Sequence, residues 1–251
     1  GESVFSNTDH VFQNMGDGTY IHSGILSIRH AVAAKTKMTF KILYNDAVAL
    51  TGGQALDGLP TVAQMSRQLE AEGVKEIVLT GVNIGDFKEE KKRFIDLIKQ
   101  LDDVKGIERY RISSIEPNLI TDEIIDFVKN SKKFMPHFHI PLQSGSDNVL
   151  KMMKRRYNTK LYFDKIKKIQ NAIPNVCIGA DVIVGFPGET DVEFNKTLNF
   201  IKDLNISYLH VFSYSERENT KAILLNNKVD KQKRTERSKM LRILSSKLQR
   251  L

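Results

Sequence analysis

The sequence predicts an α/β protein built on parallel strands. Three observations carry this expectation. Short apolar, β-branched runs alternate with amphipathic stretches along most of the chain. The runs show little alternation of polar and apolar residues, as in strands covered on both faces. Nearly every run ends in a loop of glycine and polar residues, where a parallel sheet places its chemistry.

The strand candidates are residues 10–14, 38–45, 76–82, 109–115, 138–142, 176–185 and 208–214. Pro60 fits the first turn of a helix running to Glu72, with Gly73 as its stop. Phe94, Leu97, Ile98 and Leu101 recur at i, i+3, i+4 and i+7, one face of a helix. Phe194, Leu198 and Ile201 mark another, whose start Thr190-Asp191-Val192-Glu193 has the form of a capping box. Residues 230–251 read as a last helix, with Met240, Leu241, Ile243, Leu244 and Leu248 on an apolar side against a basic one. No repeat, low-complexity stretch or linker interrupts the chain.

At 251 residues and 41% hydrophobic, the chain can build a real core. No apolar run approaches the ~20 residues that span a bilayer. The first residues carry no secretory pattern, so a cytoplasmic location and no membrane partner are expected. The single cysteine, Cys177, lies in an apolar run and reads as a core thiol; alone it makes neither an internal disulfide nor an iron–sulfur site. Net charge is +8, concentrated in the tail around Lys231, Lys233, Arg234, Arg237, Lys239 and Arg242. That excess suits a polyanion such as RNA, although a solvated helix face accounts for it as well. His137 and His139 flank Phe138 and so face the same way. A metal pair there needs a third ligand that the sequence does not display, and hydrogen-bonded strand histidines are the simpler reading.

The most specific signal is a series of ordered blocks. They are Ile77-Val78-Leu79-Thr80-Gly81-Val82-Asn83-Ile84-Gly85-Asp86, Arg111-Ile112-Ser113-Ser114-Ile115-Glu116-Pro117, and Pro136-His137-Phe138-His139-Ile140-Pro141-Leu142-Gln143-Ser144-Gly145-Ser146. Met152-Met153-Lys154-Arg155-Arg156-Tyr157, then Asp181-Val182-Ile183-Val184-Gly185-Phe186-Pro187-Gly188-Glu189-Thr190, then Phe212-Ser213-Tyr214-Ser215 complete it. Together, from about residue 74 onward, they closely resemble the tRNA methylthiotransferase family of radical S-adenosylmethionine enzymes. The form of the first block resembles the branch acting on threonylcarbamoyladenosine beside the anticodon.

The resemblance implies a parallel, partial (βα) barrel with S-adenosylmethionine and a four-iron four-sulfur cluster as cofactors and tRNA as partner. In that chemistry a deoxyadenosyl radical abstracts hydrogen from the adenosine, which receives a methylthio group. The cofactor-facing rim would comprise Gly81, Asn83, Ser114, Glu116, Gln143, Ser144, Arg155, Asp181 and Tyr214. Their chemistry is suitable. Glycine lets backbone approach a ligand closely. Glu116 can accept from an amine or ribose, Gln143 and Ser144 can contact ribose or carboxylate, and Arg155 or Arg156 can fork onto a carboxylate. Asp181, inside a strand, must be paired.

The family's cluster loop, CxxxCxxC, has no counterpart. The strand Phe40-Lys41-Ile42-Leu43-Tyr44 leads instead into Asn45-Asp46-Ala47-Val48 with no cysteine. The family's second-cluster domain and small RNA-binding barrel have no counterpart either. The expectation is a chain that binds S-adenosylmethionine without catalysing methylthiolation. Residues 1–73 resemble something else. Gly16-Asp17-Gly18-Thr19-Tyr20, with residues 41–54, is similar to the thiamine-diphosphate domain of indolepyruvate:ferredoxin oxidoreductase. That resemblance implies Mg²⁺ held by Asp17, Asn45 and the Ala47 carbonyl; a glycine turn with an Asx cap is the alternative. The organisation read here is a chimera: 1–73, a thiamine-diphosphate-domain-like βαβα segment that adds an N-terminal βα unit to the barrel; 74–229, the methylthiotransferase-like core; and 230–251, a basic amphipathic helix. A thiamine-diphosphate-binding fragment of a 2-oxoacid oxidoreductase and a non-catalytic RNA-binding remnant are the alternative functions. The oligomeric state is left open.

Overall fold

The computed structural model describes residues 7–44, 58–81, 84–89 and 91–248. They fall into two compact units, Gly1–Ile77 with Leu97–Arg109, and Val78–Asp96 with Tyr110–Leu251.

In the first unit β1 (Val11–Gly16) runs parallel to β2 (Met38–Leu43), with Val11 opposite Met38 and Gly16 opposite Leu43. A parallel pair requires a crossover. Here α1 (Asp17–Thr19) passes through a π-helical turn, Tyr20–Gly24, into α2 (Ile25–Ala33). Helix α3 (Val62–Ala71) begins with a capping box: the Thr61 hydroxyl accepts from the Gln64 N–H and the Gln64 side chain accepts from the Thr61 N–H. Pro60 therefore precedes the cap and is not in the first turn, because threonine supplies the side-chain acceptor that proline lacks. Gly73 stops the helix as expected, at φ +96°, with its N–H on the Glu70 carbonyl. Met15, Tyr20, Ile28 and Met65 form the core, flanked by Phe40, Ile42, Leu69 and Val74. Tyr20 donates to Gln68 Oε1 at 3.0 Å, and burial, reinforced by Glu72, pushes its phenol up to about 12.

Strand β3 (Glu76–Leu79), the short ribbon of β4 (Lys88–Glu89) and β5 (Lys92–Arg93), α4 (Phe94–Asp102) and β6 (Arg109–Ile112) follow in the chain. The second unit continues with α5 (Asp122–Asn130), β7 (His137–His139), α6 (Asp147–Met152) and α7 (Thr159–Ala172). It ends with β8 (Cys177–Val184), α8 (Asp191–Leu204), β9 (Tyr208–Ser213) and α9 (Lys231–Leu248). Thr121, Ser146, Asn158 and Thr190 cap α5, α6, α7 and α8, each accepting from a backbone N–H of its own first turn. Strands β7, β8 and β9 form a parallel sheet in that order. His139 lies opposite Gly179, and Asp181 opposite His210. Ile140, Leu142, Ile166, Ile169, Val182, Val184, Ile201 and Leu204 are buried in this unit.

Three expectations are corrected. Several strands end before the predicted loop: 76–82 narrows to Glu76–Leu79, 109–115 to Arg109–Ile112, and 138–142 to His137–His139. Beyond these points the ladders lapse into single bridges, Ser114 with His139 and Gln143 with Val182, as the strands part at the rim. Only half of the α8 capping box forms. Thr190 accepts from the Glu193 N–H, but the Glu193 carboxylate takes the Ser146 hydroxyl, Asn148 and Lys196. Helix α9 buries the expected apolar side only in part: Leu241 is buried and Leu244 and Leu248 are half-buried, while Met240 and Ile243 stay 45% and 50% exposed. Its buried residues are Arg237, Ser238, Leu241 and Ser245; polar groups of the loop after β8 and of β9 receive Arg237 and Ser245.

Candidate functional site

Of the predicted rim residues, Ser114 and Glu116 follow β6, Gln143 and Ser144 follow β7, Arg155 follows α6, Asp181 lies within β8 and Tyr214 follows β9. Gln143 is fixed by backbone bonds on both sides: its N–H donates to the Asp181 carbonyl at 2.8 Å and its carbonyl accepts from Ile183 at 3.0 Å. It sits at φ +64°, a left-handed conformation unusual for a side chain with a Cβ. Its side chain is 8% exposed, and Oε1 is buried with no hydrogen-bond partner among the described residues. Such strain and an unmet buried acceptor together point toward ligand binding.

Glu116 follows Ile115, whose N–H is tied to the His139 carbonyl at 3.0 Å. Arg155 lies just beyond α6, held by its N–H on the Leu150 carbonyl. Its Nη1 stands 3.5 Å from Glu116 Oε1, a long ion pair, while Nε is buried without a partner among the described residues. The adjacent Arg156 is exposed, so Arg155 is the guanidinium the fold turns inward.

Asp181 is paired, as a strand carboxylate must be. Its Oδ1 receives His139 Nε2 at 2.8 Å and lies 3.3 Å from His210 Nδ1. The other His139 nitrogen is 3.2 Å from the Tyr208 hydroxyl, which also lies 3.0 Å from His137 Nε2. The two strand histidines thus share a face and a tyrosine. Burial, helped by His139 and Arg111, holds the His137 imidazole below the usual histidine range. His210 and Tyr208 were missed by sequence reasoning. The signal available was the alternation Tyr208-Leu209-His210 on a strand whose register with β8 was unknown.

Other predicted residues fall elsewhere. Ser144 is fully buried, and its hydroxyl meets Thr197 at 3.1 Å and accepts from the Ser146 N–H, so it serves packing of the loop against α8. Ser114 is half-buried, at the bridge to His139. Gly81 is exposed, and Asn83 lies outside the described residues. Tyr214 stacks edge-on against Phe186 under the Arg234 guanidinium, and its hydroxyl is buried without a hydrogen-bond partner among the described residues. Cys177 is half-buried at the start of β8, away from the strand end that carries Gly185. In the first unit, Asp17 is buried at the start of α1 and its Oδ1 accepts from the adjacent Gly18 N–H at 2.8 Å; neither this contact nor the helix start, which has no side-chain cap, is the Asx cap of the alternative reading. Asn45 and Ala47, the remaining magnesium candidates, lie outside the described residues.

The Gly185–Glu189 turn after β8 is clamped by α9. Glu189 Oε2 accepts from the Gly185 N–H at 2.7 Å and from Arg237 Nη1 at 2.6 Å. Arg237 also donates to the Glu189 carbonyl and to Asp191 Oδ1. Burial outweighs these attractions and holds the Glu189 carboxyl above the usual carboxylate range. Farther along α9, a groove of about 680 Å³ is lined by Ser213, Thr235, Lys239, Arg242 and Lys247. It holds none of the rim residues Gln143, Arg155 or Asp181.

Parallel strands joined by helical crossovers define an α/β protein. The chain matches the model of the radical SAM superfamily over residues 50–201 and belongs to that superfamily. Its fold class is the expected one, α/β with the parallel partial barrel of radical SAM enzymes. The match begins ahead of Val74 and takes in α3, and it lends the thiamine-diphosphate reading no support.

Among curated relatives, the threonylcarbamoyladenosine tRNA methylthiotransferase MtaB of Bacillus subtilis is 46% identical over 190 residues, covering 74% of this chain and 42% of the relative. The tRNA-2-methylthio-N(6)-dimethylallyladenosine synthase of Endomicrobium trichonymphae is 39% identical over 162 residues, covering 64% of this chain and 39% of the relative. The chain thus spans about two fifths of the length of these relatives. Among solved structures, the radical SAM coproporphyrinogen III oxidase HemN from Escherichia coli matches at TM-score 0.53 and 12% identity, over 95% of this chain and 52% of that one. SuiB of Streptococcus suis matches at 0.51 and 15%, over 75% of this chain and 40% of that one.

Superfamily membership implies S-adenosylmethionine and a four-iron cluster. The rim fits the first. Gln143 Oε1 and Arg155 Nε are buried and have no hydrogen-bond partner among the described residues, and two carboxylates, Glu116 after β6 and Asp181 within β8, belong to the same unit. These groups complement an α-amino acid with a ribose. The second does not fit, because the sequence contains one cysteine and the cluster needs a set of thiolates. No described helix is long and apolar enough to cross a membrane.

Proposed function

We propose that this chain is an S-adenosylmethionine-binding core of the tRNA methylthiotransferase type, directed at threonylcarbamoyladenosine, that does not itself methylthiolate. The observation that carries the reading is the pair of buried atoms Gln143 Oε1 and Arg155 Nε, without hydrogen-bond partners among the described residues, on backbone fixed by β8 and by α6 respectively. In this reading Arg155 forks onto the methionine carboxylate, Glu116 and Asp181 accept from the amine and ribose, and Gln143 contacts the ribose. Bound S-adenosylmethionine supplies a transferable methyl group on a cleavable sulfonium. The residues bind and orient it; with no cysteine set, they do not supply its reductive cleavage.

The relatives named for tRNA modification support tRNA as the partner. So does the basic groove on α9, where Lys239, Arg242 and Lys247 stand among hydroxyls. Contacts of that kind bind phosphate with a steep dependence on salt.

Calorimetric titration of the purified chain with S-adenosylmethionine tests the proposal. Saturable binding that Arg155→Ala weakens about 10- to 100-fold is expected. Absence of binding, or equal binding by the variant, refutes the cofactor assignment. Methylthiolated tRNA produced by the chain alone refutes the assignment of inactivity.

A further inference from the structure

His139, Asp181 and His210 stand on three adjacent parallel strands, β7, β8 and β9. Their ligand atoms all lie within 4.8 Å of one another. We infer that they form a mononuclear site for a first-row divalent transition ion of the zinc or iron(II) kind, separate from any iron–sulfur cluster. Two imidazoles and a carboxylate on one side of an ion, with the other side open, are the donor set such ions take.

The spacing suits an ion. Donors ~2.1 Å from a common metal and 90–109° apart stand ~3.0–3.4 Å from each other. The two nitrogen-to-Oδ1 separations, 2.8 and 3.3 Å, are close to these values, and the two nitrogens lie within 4.8 Å of each other. The rings of His139 and His210 are already close, centroid to centroid 5.1 Å.

A second, independent feature is the support behind the first ligand. A metal-bound histidine is held by a partner on its other nitrogen, which fixes ring orientation and tautomer. His139 has that partner in the Tyr208 hydroxyl at 3.2 Å from Nδ1, and Tyr208 is itself held by His137. Access is provided from the other side, because the His210 side chain is 57% exposed while that of His139 is 11% exposed. Both histidines approach Oδ1 of Asp181, so Oδ2 retains its own direction for a second contact. The site rests on this geometry and not on the cofactor reading.

Zinc titration of the full chain by calorimetry, with Co²⁺ as a visible-absorption probe, tests it. One equivalent of Zn²⁺ is expected, lost at least 100-fold in affinity in His210→Ala. The double variant His22→Ala/His30→Ala, on the first unit, should bind as the parent does. His210→Asn provides a second reading with a side chain of similar reach, and a zinc-dependent rise in melting temperature should disappear in both His210 variants. Failure of the parent chain to bind one equivalent, or unchanged binding in His210→Ala, overturns the inference. Because S-adenosylmethionine binding is titrated separately, loss of one ligand does not decide the other.

Discussion

Arg237→Met offers the sharpest test of how the fold holds its rim. Arg237 is 3% exposed and reaches across 48 residues of sequence to Glu189, itself 2% exposed. The guanidinium makes a 2.6 Å contact to the carboxylate, a 2.9 Å bond to the Glu189 carbonyl and a 2.8 Å bond to Asp191. Methionine fills similar volume but leaves a buried carboxylate with only the Gly185 N–H. Breaking one side of a buried pair costs about 3–5 kcal/mol. At ~2–4 °C per kcal/mol for a chain of this size, the second unit should melt roughly 6–20 °C lower. Urea denaturation followed by circular dichroism reads the same loss as a fall in midpoint.

Two further measurements isolate the cause. The loss should be nearly independent of salt, since a buried pair is poorly screened. It should also shrink in acid. A carboxyl whose folded pKa lies above its unfolded value weakens the fold only while it is charged. The deficit is therefore full above the raised folded pKa and disappears as pH falls toward the unfolded value near ~4.3. Arg237→Met/Glu189→Gln should recover most of the stability at neutral pH, because glutamine still accepts from Gly185 and carries no charge. A midpoint within ~1 kcal/mol of the parent for Arg237→Met, or a pH-independent deficit, refutes the clamp.

Gly179→Ala should destabilise by about 1–3 kcal/mol, because the added methyl collides with the Tyr208 ring and displaces it from His137 and His139; equilibrium unfolding checks this. His137 is held below the usual histidine range, so its contribution is present above ~6.5 and is lost as pH falls through its folded pKa; His137→Gln should flatten the acid limb of a stability–pH profile. Tyr162→Phe removes the 2.7 Å bond from a fully buried hydroxyl to the Ile140 carbonyl and should cost about 1–2 kcal/mol in the same assay. Arg155→Lys should bind S-adenosylmethionine little better than Arg155→Ala, since an ammonium lacks the guanidinium fork; calorimetry compares the two.

What the sequence disclosed and what it hid follow from the range of the interactions. The βα alternation, the Gly73 stop and the Thr190 cap are local, set within a few residues, and were legible. The placement of Glu116 and Gln143 after short strands was legible in the same way, whereas Arg155, beyond a helix, and Asp181, inside a strand, were expected from the family resemblance and not from topology. Partners that depend on register were not legible. The approach of His210 to Asp181 is fixed by the offset between β8 and β9, and a one-residue slip would turn it to the other face. Helix α9 shows the same limit. Apolar periodicity predicts a buried face only when the receiving surface is apolar. Here Leu241 is buried as predicted, but the receiving groups also include the Glu189 carboxylate and carbonyl and the backbone of Leu209. Arginine and serine are therefore drawn inward, and Met240 and Ile243 are left in solvent. Charge in the tail, read as a surface property, thus divides in two. Arg237 is structural, locking the turn that follows β8, while Lys239, Arg242 and Lys247 line the exposed groove. Neutralising the groove lysines should change polyanion binding and leave the melting temperature almost unmoved, whereas Arg237 should do the reverse.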